Sequence, residues 1–290
     1  GFLKKLFILL TTLLMITASC AHKEIQPPPT PPLPPPKPAK VALVLGAGAA
    51  KGFAHIGVLK VLEANKIPIH LIVGTSVGSL VGSLYAYGHN AFQLQAIALS
   101  IEKGDMIDLI IPDNGFIQGL KLAEYVNKAV KNTPLEKLNI PFYAVATDIQ
   151  NGQEIVFGKG NSGAAVRASC SVPGVFRPVS SGDRLYADGG IVIPVAVEAA
   201  QKYGGDMVIA VDISSDLGNT KPEGTIETIL QSVNIMYAKL AQLQCSKADV
   251  VIRPKVGHIG STDFSKRHEA ILEGEKAATE ALPKVKEIID

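Results

Sequence analysis

Short apolar runs of about five residues alternate along this chain with longer segments that have helical spacing. The clearest runs cover residues 41–45, 69–73 and 207–213, which is short for a helix and typical of a buried strand. Helical spacing follows the first run over residues 52–64 and the second run over residues 77–87. Strands that alternate with helices predict an α/β fold, in which helices cover both faces of a central, mostly parallel sheet.

The same alternation continues toward the carboxyl terminus. Further helices are predicted at residues 91–102, 120–130, 164–168, 225–243 and 265–285. Further strands are predicted at residues 142–147, 154–157 and 250–252. Because no internal repeat is visible, solenoid and propeller architectures are excluded, and we expect one folded domain over residues 41–290.

The amino-terminal segment has the composition of an export signal. Lys4 and Lys5 precede an apolar run at residues 6–16, and Thr-Ala-Ser-Cys ends at Cys20. Eleven residues at about 1.5 Å each cannot cross a hydrocarbon core of about 30 Å, so residues 1–19 are interpreted as a signal peptide. The small residues before Cys20 resemble the lipobox of bacterial lipoproteins, which implies lipidation of Cys20. An ordinary cleaved signal with a chance cysteine is the alternative.

Residues 20–40 are interpreted as a linker between that anchor and the domain. Nine prolines lie between Pro27 and Pro38, which predicts an extended polyproline II spacer that spans roughly 37 Å. Ala21, rather than Asp, follows Cys20. By the lipoprotein sorting rule this implies the outer membrane of a Gram-negative cell, with the domain facing the periplasm.

Composition excludes several classes of function. The net charge of residues 40–290 is −1, so we expect no broad basic face and no nucleic-acid partner. The 47% hydrophobic and 19% charged content excludes a disordered domain. Three cysteines without a CxxC pair exclude a zinc knuckle and a disulfide framework, and no metal-ligand spacing occurs. Pairing of Cys170 with Cys245 in an oxidising compartment stays open.

A glycine-rich loop follows the first predicted strand, from Gly46 through Gly48 and Lys51 to Gly52. It differs from a dinucleotide-binding fingerprint because Lys51 occupies the last glycine or alanine position and the acidic residue about 20 positions on is missing. Its backbone N–H groups, at the start of a helix, can bind an anion or an oxyanion.

The second motif, Gly-Thr-Ser-Val-Gly, lies between a predicted strand and a helix. This is the context of a nucleophile elbow, in which Ser76 adopts a strained conformation at a sharp turn and Gly74 and Gly78 leave room for it. The third motif is Asp188-Gly189-Gly190, which in isolation is most often a turn.

Together the segments GAGAAKGFAHIGVL, GTSVGSL and YADGG, in this order, resemble the patatin-like phospholipase family. The resemblance implies a three-layer α/β/α fold and a serine acyl hydrolase without a cofactor, acting on phospholipid or lysophospholipid. It implies that Ser76 is the nucleophile and Asp188 the base. It further implies that the N–H groups of Gly48 and Ala49 form the oxyanion hole.

Two departures and two alternatives accompany this resemblance. Ala49, Ala50 and Lys51 replace a third glycine and an arginine found in many members. Alanine keeps the backbone N–H, and lysine keeps the positive charge but lacks the forked donor geometry of the arginine guanidinium.

One alternative is a Ser76–Asp212–His258 triad on an α/β-hydrolase fold. The other is a lipid-binding lipoprotein without catalysis.

Three other features of the sequence bear on the site. The apolar segment at residues 107–116 is interpreted either as a buried loop or as an interfacial lip through which an acyl chain leaves a bilayer. Residues 172–176 are predicted to form the facing wall for that chain. His55, one turn into a helix, is interpreted as a packing or capping residue.

Overall fold

The computed structural model describes residues 39–109, 114–219 and 221–289. The predicted signal peptide, Cys20 and the proline-rich segment lie outside these residues and stay predictions. No helix in these three ranges is both long enough and apolar enough to cross a membrane.

One eight-stranded mixed sheet organises the described residues. Its strands are β1 (Val41–Leu45), β2 (Leu71–Thr75), β3 (Phe142–Asp148), β4 (Gln153–Phe157), β5 (Val179–Ser181), β6 (Arg184–Asp188), β7 (Met207–Val211) and β8 (Val250–Ile252). Strands β3, β2, β1, β7 and β8 pair in parallel in that order. Strands β4 and β6 both pair antiparallel with β3, and β5 pairs with β6 at the edge.

The strands are joined mainly through helices. These are α1 (Phe53–Ala64), α2 (Val77–Tyr87), α3 (Ala91–Ser100), α4 (Lys103–Met106), α5 (Leu120–Ala129), α6 (Ser162–Ser169), α7 (Val197–Lys202), α8 (Thr225–Cys245) and α9 (Arg267–Ile289). Short 3₁₀ turns at Ala49–Gly52 and Gly189–Ile191 follow β1 and β6.

Alternate residues of the central strand contact opposite helical layers. Leu43 of β1 belongs to a buried cluster with Leu59 of α1, whereas its neighbour Val44 belongs to another with Ala200 of α7. Because successive side chains of a strand point to opposite faces, this division shows helices packed on both sides of the sheet. The three-layer α/β architecture predicted from the sequence is confirmed.

Local patterns located most elements, the three-residue β8 included, but missed four. The second strand is shifted to Leu71–Thr75, because pairing with β1 and β3 on both sides keeps Gly74 in the sheet. Strands β5 and β6 and helices α4 and α7 were not predicted, because they lack the continuous apolar run that marks the equally short β1 and β8.

Candidate active site

Ser76 lies at a sharp turn between β2 and α2. Its backbone has φ 55° and ψ −126°, a conformation that is rare for a residue with a side chain. Such strain costs on the order of 1–3 kcal/mol and persists only where the surroundings impose it. Ser76 is 5% exposed, and its N–H donates to Ser169 Oγ at 2.8 Å. The turn therefore presents the Ser76 hydroxyl in a fixed position, as the elbow motif predicts.

The flanking glycines make this turn possible. A methyl group at position 78 would lie 2.0 Å from the Leu45 carbonyl oxygen at the end of β1. A methyl group at position 74 would lie 2.5 Å from the carbonyl oxygen of Gly78. Backbone atoms cannot move aside as flexible side chains do, so α2 packs against β1 and β2 only when both positions are glycine.

The carboxylate of Asp188 lies next to the serine. Asp188 ends β6, and its Oδ2 accepts a hydrogen bond from Ser76 Oγ at 2.5 Å. The two residues are 112 positions apart and meet because β2 and β6 both pair with β3, through Gly74↔Ala144 and Ala146↔Asp188. The structure thus brings together the two side chains that the sequence singled out separately.

The other carboxylate oxygen is held by two donors. Asp188 Oδ1 accepts from the Gly190 N–H at 2.7 Å and from the Tyr237 hydroxyl at 2.8 Å. Asp188 is fully buried, and burial raises its pKa from 3.8 to about 6, against the opposing effect of the hydrogen bonds from Ser76, Gly190 and Tyr237. A carboxylate with this pKa is a stronger base than an exposed one and is still ionised at pH 7.

Neither glycine after Asp188 can be replaced by a residue with a side chain without a steric clash. A methyl group at position 189 would lie 2.3 Å from the Val145 carbonyl oxygen, and one at position 190 would lie 2.4 Å from the ring of Tyr237. The Asp-Gly-Gly sequence is therefore more than a surface turn: its glycines let β3 and α8 approach the backbone next to Asp188 closely.

The glycine-rich loop leaves two backbone donors available. The N–H groups of Ala47 and Ala50 donate to carbonyl oxygens at 3.0 and 3.1 Å. Within the described ranges, the N–H groups of Gly48 and Ala49 have no hydrogen-bond acceptor. Ala49 has φ 49°, a second strained residue, and lines the same cavity as Ser76. This arrangement is compatible with the predicted oxyanion hole, whose assignment stays a prediction.

Hydrogen bonds from the side chains of His55 and Lys51 hold the glycine-rich loop in place. His55 is buried, and its Nε2 donates to the Gly46 carbonyl oxygen at 2.8 Å; burial lowers its pKa to about 4, so the ring is neutral. Lys51 is 3% exposed and its Nζ donates to the Asp216 carbonyl oxygen at 3.0 Å. Burial lowers the pKa of Lys51. His55 is thus a packing residue, as the sequence indicated.

The Ser76–Asp212–His258 triad is not assembled in the described chain. Asp212 Oδ1 accepts from the hydroxyl and N–H of Ser214 at 2.8 and 2.9 Å, and its Oδ2 lies 3.6 Å from Arg253 Nε. His258 Nε2 lies 2.6 Å from Glu269 Oε1, and both of these side chains are nearly half exposed. Since Ser76 Oγ donates to Asp188, this alternative is wrong.

An apolar cavity of about 470 Å³ opens beside Ser76. Val77, Leu80, Val81 and Leu84, which form one face of α2, line it together with residues of α1 and α3. The facing wall contains Val172, Val175, Phe176, Ile107, Leu109 and Phe116. Residues 172–176 therefore form part of the predicted wall.

Ile107, Leu109 and Phe116 of the apolar segment at residues 107–116 line this cavity, whereas residues 110–113 are outside the described ranges. Leu109 is also 77% exposed, which makes it the most exposed large apolar side chain of the described residues. The role of the segment as an interfacial lip stays a prediction.

Cys170 and Cys245 are both buried and carry free thiols. Their pairing, left open by the sequence, does not occur in the structure. Cys170 lines the cavity, and its sulfur lies 3.9 Å from Ser79 Oγ; burial and the neighbouring Asp188 charge raise the pKa of the thiol. Within the same ranges, no group of three His, Cys, Asp or Glu side chains is placed to hold a metal ion.

Two side chains that contact Asp188 or Ser76 were not predicted from the sequence. Tyr237 lies on α8 on the same face as Leu230, Val233 and Ala241, and a buried tyrosine requires a partner for its hydroxyl. That signal predicts a partner but not Asp188. Ser169 lacked any signal, because its role depends on α6 ending beside the elbow.

Comparison with known proteins finds relatives of this chain. The family model described as patatin-like phospholipase matches residues 43–200, more than half of the chain. An uncharacterised NTE family protein of Mycobacterium tuberculosis is 35% identical over 201 residues, which cover 67% of this chain and 56% of that protein. Lysophospholipase NTE1 of Coccidioides immitis is 30% identical over 279 residues, which cover 85% of this chain and 18% of that protein.

The chain thus spans from about a fifth to just over half of the length of these two relatives. Among solved structures, VipD from Legionella pneumophila matches with a TM-score of 0.51 at 12% identity, covering 86% of this chain and 67% of that chain. Identity at this level shows a shared fold.

Proposed function

The chain belongs to the patatin-like phospholipase family, and from this premise we propose that it hydrolyses the acyl ester of a phospholipid or lysophospholipid. The observation that carries the proposal is the hydrogen bond of 2.5 Å from Ser76 Oγ to Asp188 Oδ2, beside an apolar cavity. The similarity to Lysophospholipase NTE1 of Coccidioides immitis supports this choice of substrate.

The first half of the proposed reaction is acylation of Ser76. Its Oγ attacks the ester carbonyl carbon while the hydroxyl proton passes to Asp188 Oδ2. The carbonyl oxygen becomes an oxyanion that accepts hydrogen bonds from the N–H groups of Gly48 and Ala49. The C–O bond to the alcohol then breaks, and the alcohol leaves with the proton that Asp188 received.

Deacylation uses the same groups in reverse. Water attacks the acyl carbon of the Ser76 ester and gives a proton to Asp188. The ester bond to Oγ breaks, the fatty acid leaves, and the proton returns to Ser76. The strained backbone of Ser76 and the buried carboxylate are ready for reaction before the substrate arrives, so little reorganisation is needed in the transition state.

The cavity is proposed to hold the acyl chain. Each CH₂ group transferred from water to an apolar cavity contributes about 0.8 kcal/mol. Leu84 lines the cavity two helical turns beyond Ser76, a distance of about 12 Å along α2. The bulk of the side chain at position 84 should therefore limit how far a long chain penetrates.

We predict that Leu84→Trp selectively impairs long-chain substrates. If three CH₂ groups lose their place, kcat/KM for palmitoyl lysophospholipid should fall about 50-fold relative to butyryl ester hydrolysis. The measurement is fatty acid release from the two substrates by the wild-type protein and the variant. Tyr87→Trp is the matched control, because Tyr87 lies on the same helix but does not line the cavity. Equal losses on both substrates in Leu84→Trp would contradict this use of the cavity.

We also propose that lipidated Cys20 anchors the protein in the outer membrane facing the periplasm. The residue order before Cys20 and the prolines after it support this proposal. Two signals or more than one acyl chain are needed for stable anchoring, and a lipoprotein cysteine meets this condition. An anchored enzyme gains effective concentration on membrane lipid without a change in its active site.

The expected result of Cys20→Ser in a Gram-negative host is release of the protein from the membrane fraction. Hydrolysis of bilayer phospholipid should fall, whereas hydrolysis of a soluble short-chain ester should not change. Fractionation with a high-salt wash checks the first expectation and parallel assays check the second. If the high-salt wash removes the wild-type protein from membranes, the proposed lipid anchor at Cys20 is wrong.

A further inference from the structure

Tyr237 makes a contact with the reacting groups that the Ser–Asp dyad does not account for. Its hydroxyl donates to Asp188 Oδ1 at 2.8 Å, on the carboxylate oxygen that does not face Ser76. Tyr237 comes from α8, 49 residues beyond Asp188, and is 2% exposed. A buried hydroxyl that reaches the base from a separate element is placed to control it.

We propose that Tyr237 is a positioning residue that orients the Asp188 carboxylate toward Ser76 and keeps it ionised. This inference rests on the proposed function and deepens it. The proton that moves in the reaction is the Ser76 hydroxyl proton, whereas Tyr237 keeps its own.

The backbone of Asp188 is fixed by two hydrogen bonds, but these leave its side chain free to rotate. Its N–H donates to the Ser171 carbonyl oxygen at 2.8 Å, and its carbonyl oxygen accepts from Thr147 Oγ1 at 2.9 Å. Rotation of the carboxylate is restricted by the Gly190 N–H and the Tyr237 hydroxyl, which both donate to Oδ1. With Oδ1 held, Oδ2 faces Ser76.

The charge environment makes Tyr237 a constant donor. Burial and the neighbouring Asp188 charge raise the pKa of Tyr237 well above 10, so it stays protonated over the working pH range. The charge of Asp188 acts on Cys170, just after α6, and on Tyr237 of α8, and burial raises the pKa of both. Neither of these two side chains changes charge near neutral pH, so neither adds a titration to a pH profile near 6.

Packing also connects Tyr237 to the substrate cavity. Tyr237 shares a buried cluster with Val172, Val175 and Leu230, and all three of these side chains line the cavity. Its ring occupies the space above Gly190 that a methyl group would fill. The same side chain thus contacts the cavity wall through its ring and the base through its hydroxyl.

The test is Tyr237→Phe, which keeps the ring and removes only the hydroxyl. In the wild-type protein, the acid limb of the pH profile of kcat/KM should lie near pH 6. Ionised Asp188 is the active form, so activity is lost as the pH falls through the pKa of Asp188. Because Tyr237→Phe removes a hydrogen-bond donor to the ionised carboxylate, the pKa of Asp188 and with it the acid limb should rise by about one to two pH units. At pH 7, kcat should fall about 10-fold with KM less affected.

Tyr85→Phe is the matched control, since the Tyr85 hydroxyl hydrogen-bonds Glu63, away from the site. Its acid limb should stay where the wild-type limb lies. An unshifted limb in Tyr237→Phe would overturn the inference, even if activity falls, because a purely structural role lowers activity without moving the limb.

A second readout separates this inference from the proposed function. Infrared difference spectra between each protein and its Asp188→Asn counterpart report protonation of Asp188 without any substrate. An upward shift in Tyr237→Phe supports control of the base by Tyr237 even if the wild-type protein hydrolyses no ester, a result that would refute only the proposed function. No shift in either readout refutes the inference alone.

Discussion

Ser76→Ala is expected to lower lysophospholipid hydrolysis by about 10⁴-fold or more, because Ser76 supplies the hydroxyl that donates to Asp188 Oδ2. Asp188→Asn should lower it by a similar order. An asparagine of the same shape can still accept from Gly190 and Tyr237 through its oxygen, but it cannot take the serine proton. Steady-state rates of fatty acid release check both expectations.

Two controls accompany these variants. The thermal midpoints of both should stay within a few degrees of the wild-type value, which shows that activity is lost without unfolding. His258→Ala should keep most of its activity, because His258 lies against Glu269. An inactive His258→Ala together with an active Asp188→Asn would replace the dyad with a triad mechanism. If Ser76→Ala still hydrolyses the lysophospholipid, Ser76 is not the nucleophile.

The second large effect is expected from Gly78→Ala. The added methyl group would lie 2.0 Å from the Leu45 carbonyl oxygen and 2.8 Å from that of Gly46, so α2 must move away from β1. Overpacking of this kind costs about 1–3 kcal/mol. A displacement of about 1 Å between the serine and the glycine-rich loop can lower kcat about 10²-fold. Denaturant unfolding and kcat measure the two losses.

Gly82→Ala, one turn further along the same helix, is the control. Its methyl group would meet side-chain atoms of Phe142 and Ile72 at 2.9 and 3.1 Å, and these side chains can adjust. Its effect on kcat should therefore be small. If Gly78→Ala and Gly82→Ala lose activity equally, the close approach of α2 to the end of β1 does not position Ser76.

The sequence predicted the elements that have a long or strict local pattern. β1 and α2 appear at the predicted residues, because apolar runs and helical spacing follow directly from burial on one or two faces. β6, which carries Asp188, was missed, since its five residues alternate weakly and pair antiparallel with the end of β3. Its formation depends on a partner strand that local sequence does not specify.

The candidate site likewise has features that the sequence shows and features that depend on the tertiary structure. The elbow at Ser76 and the Asp-Gly-Gly at residues 188–190 are visible in the sequence as short glycine motifs, although the contacts that require Gly78, Gly189 and Gly190 are made by distant residues. The contact of Ser76 with Asp188 and the rejection of the His258 triad depend on which strands pair with β3. The raised pKa of Asp188 and its contact with Tyr237 depend on burial beneath α8.

The sequence by itself therefore determined the α/β alternation and the strained serine turn, which are properties of short segments whose conformation follows from side-chain volume, glycine content and periodicity. The choice of Ser76 and Asp188 as candidate reacting residues came from the resemblance to the family. Only the tertiary structure decided which groups meet, how the carboxylate is oriented and charged, and where the apolar cavity opens. These properties arise between residues 49 to 112 positions apart, where sheet register and helix packing set the distances.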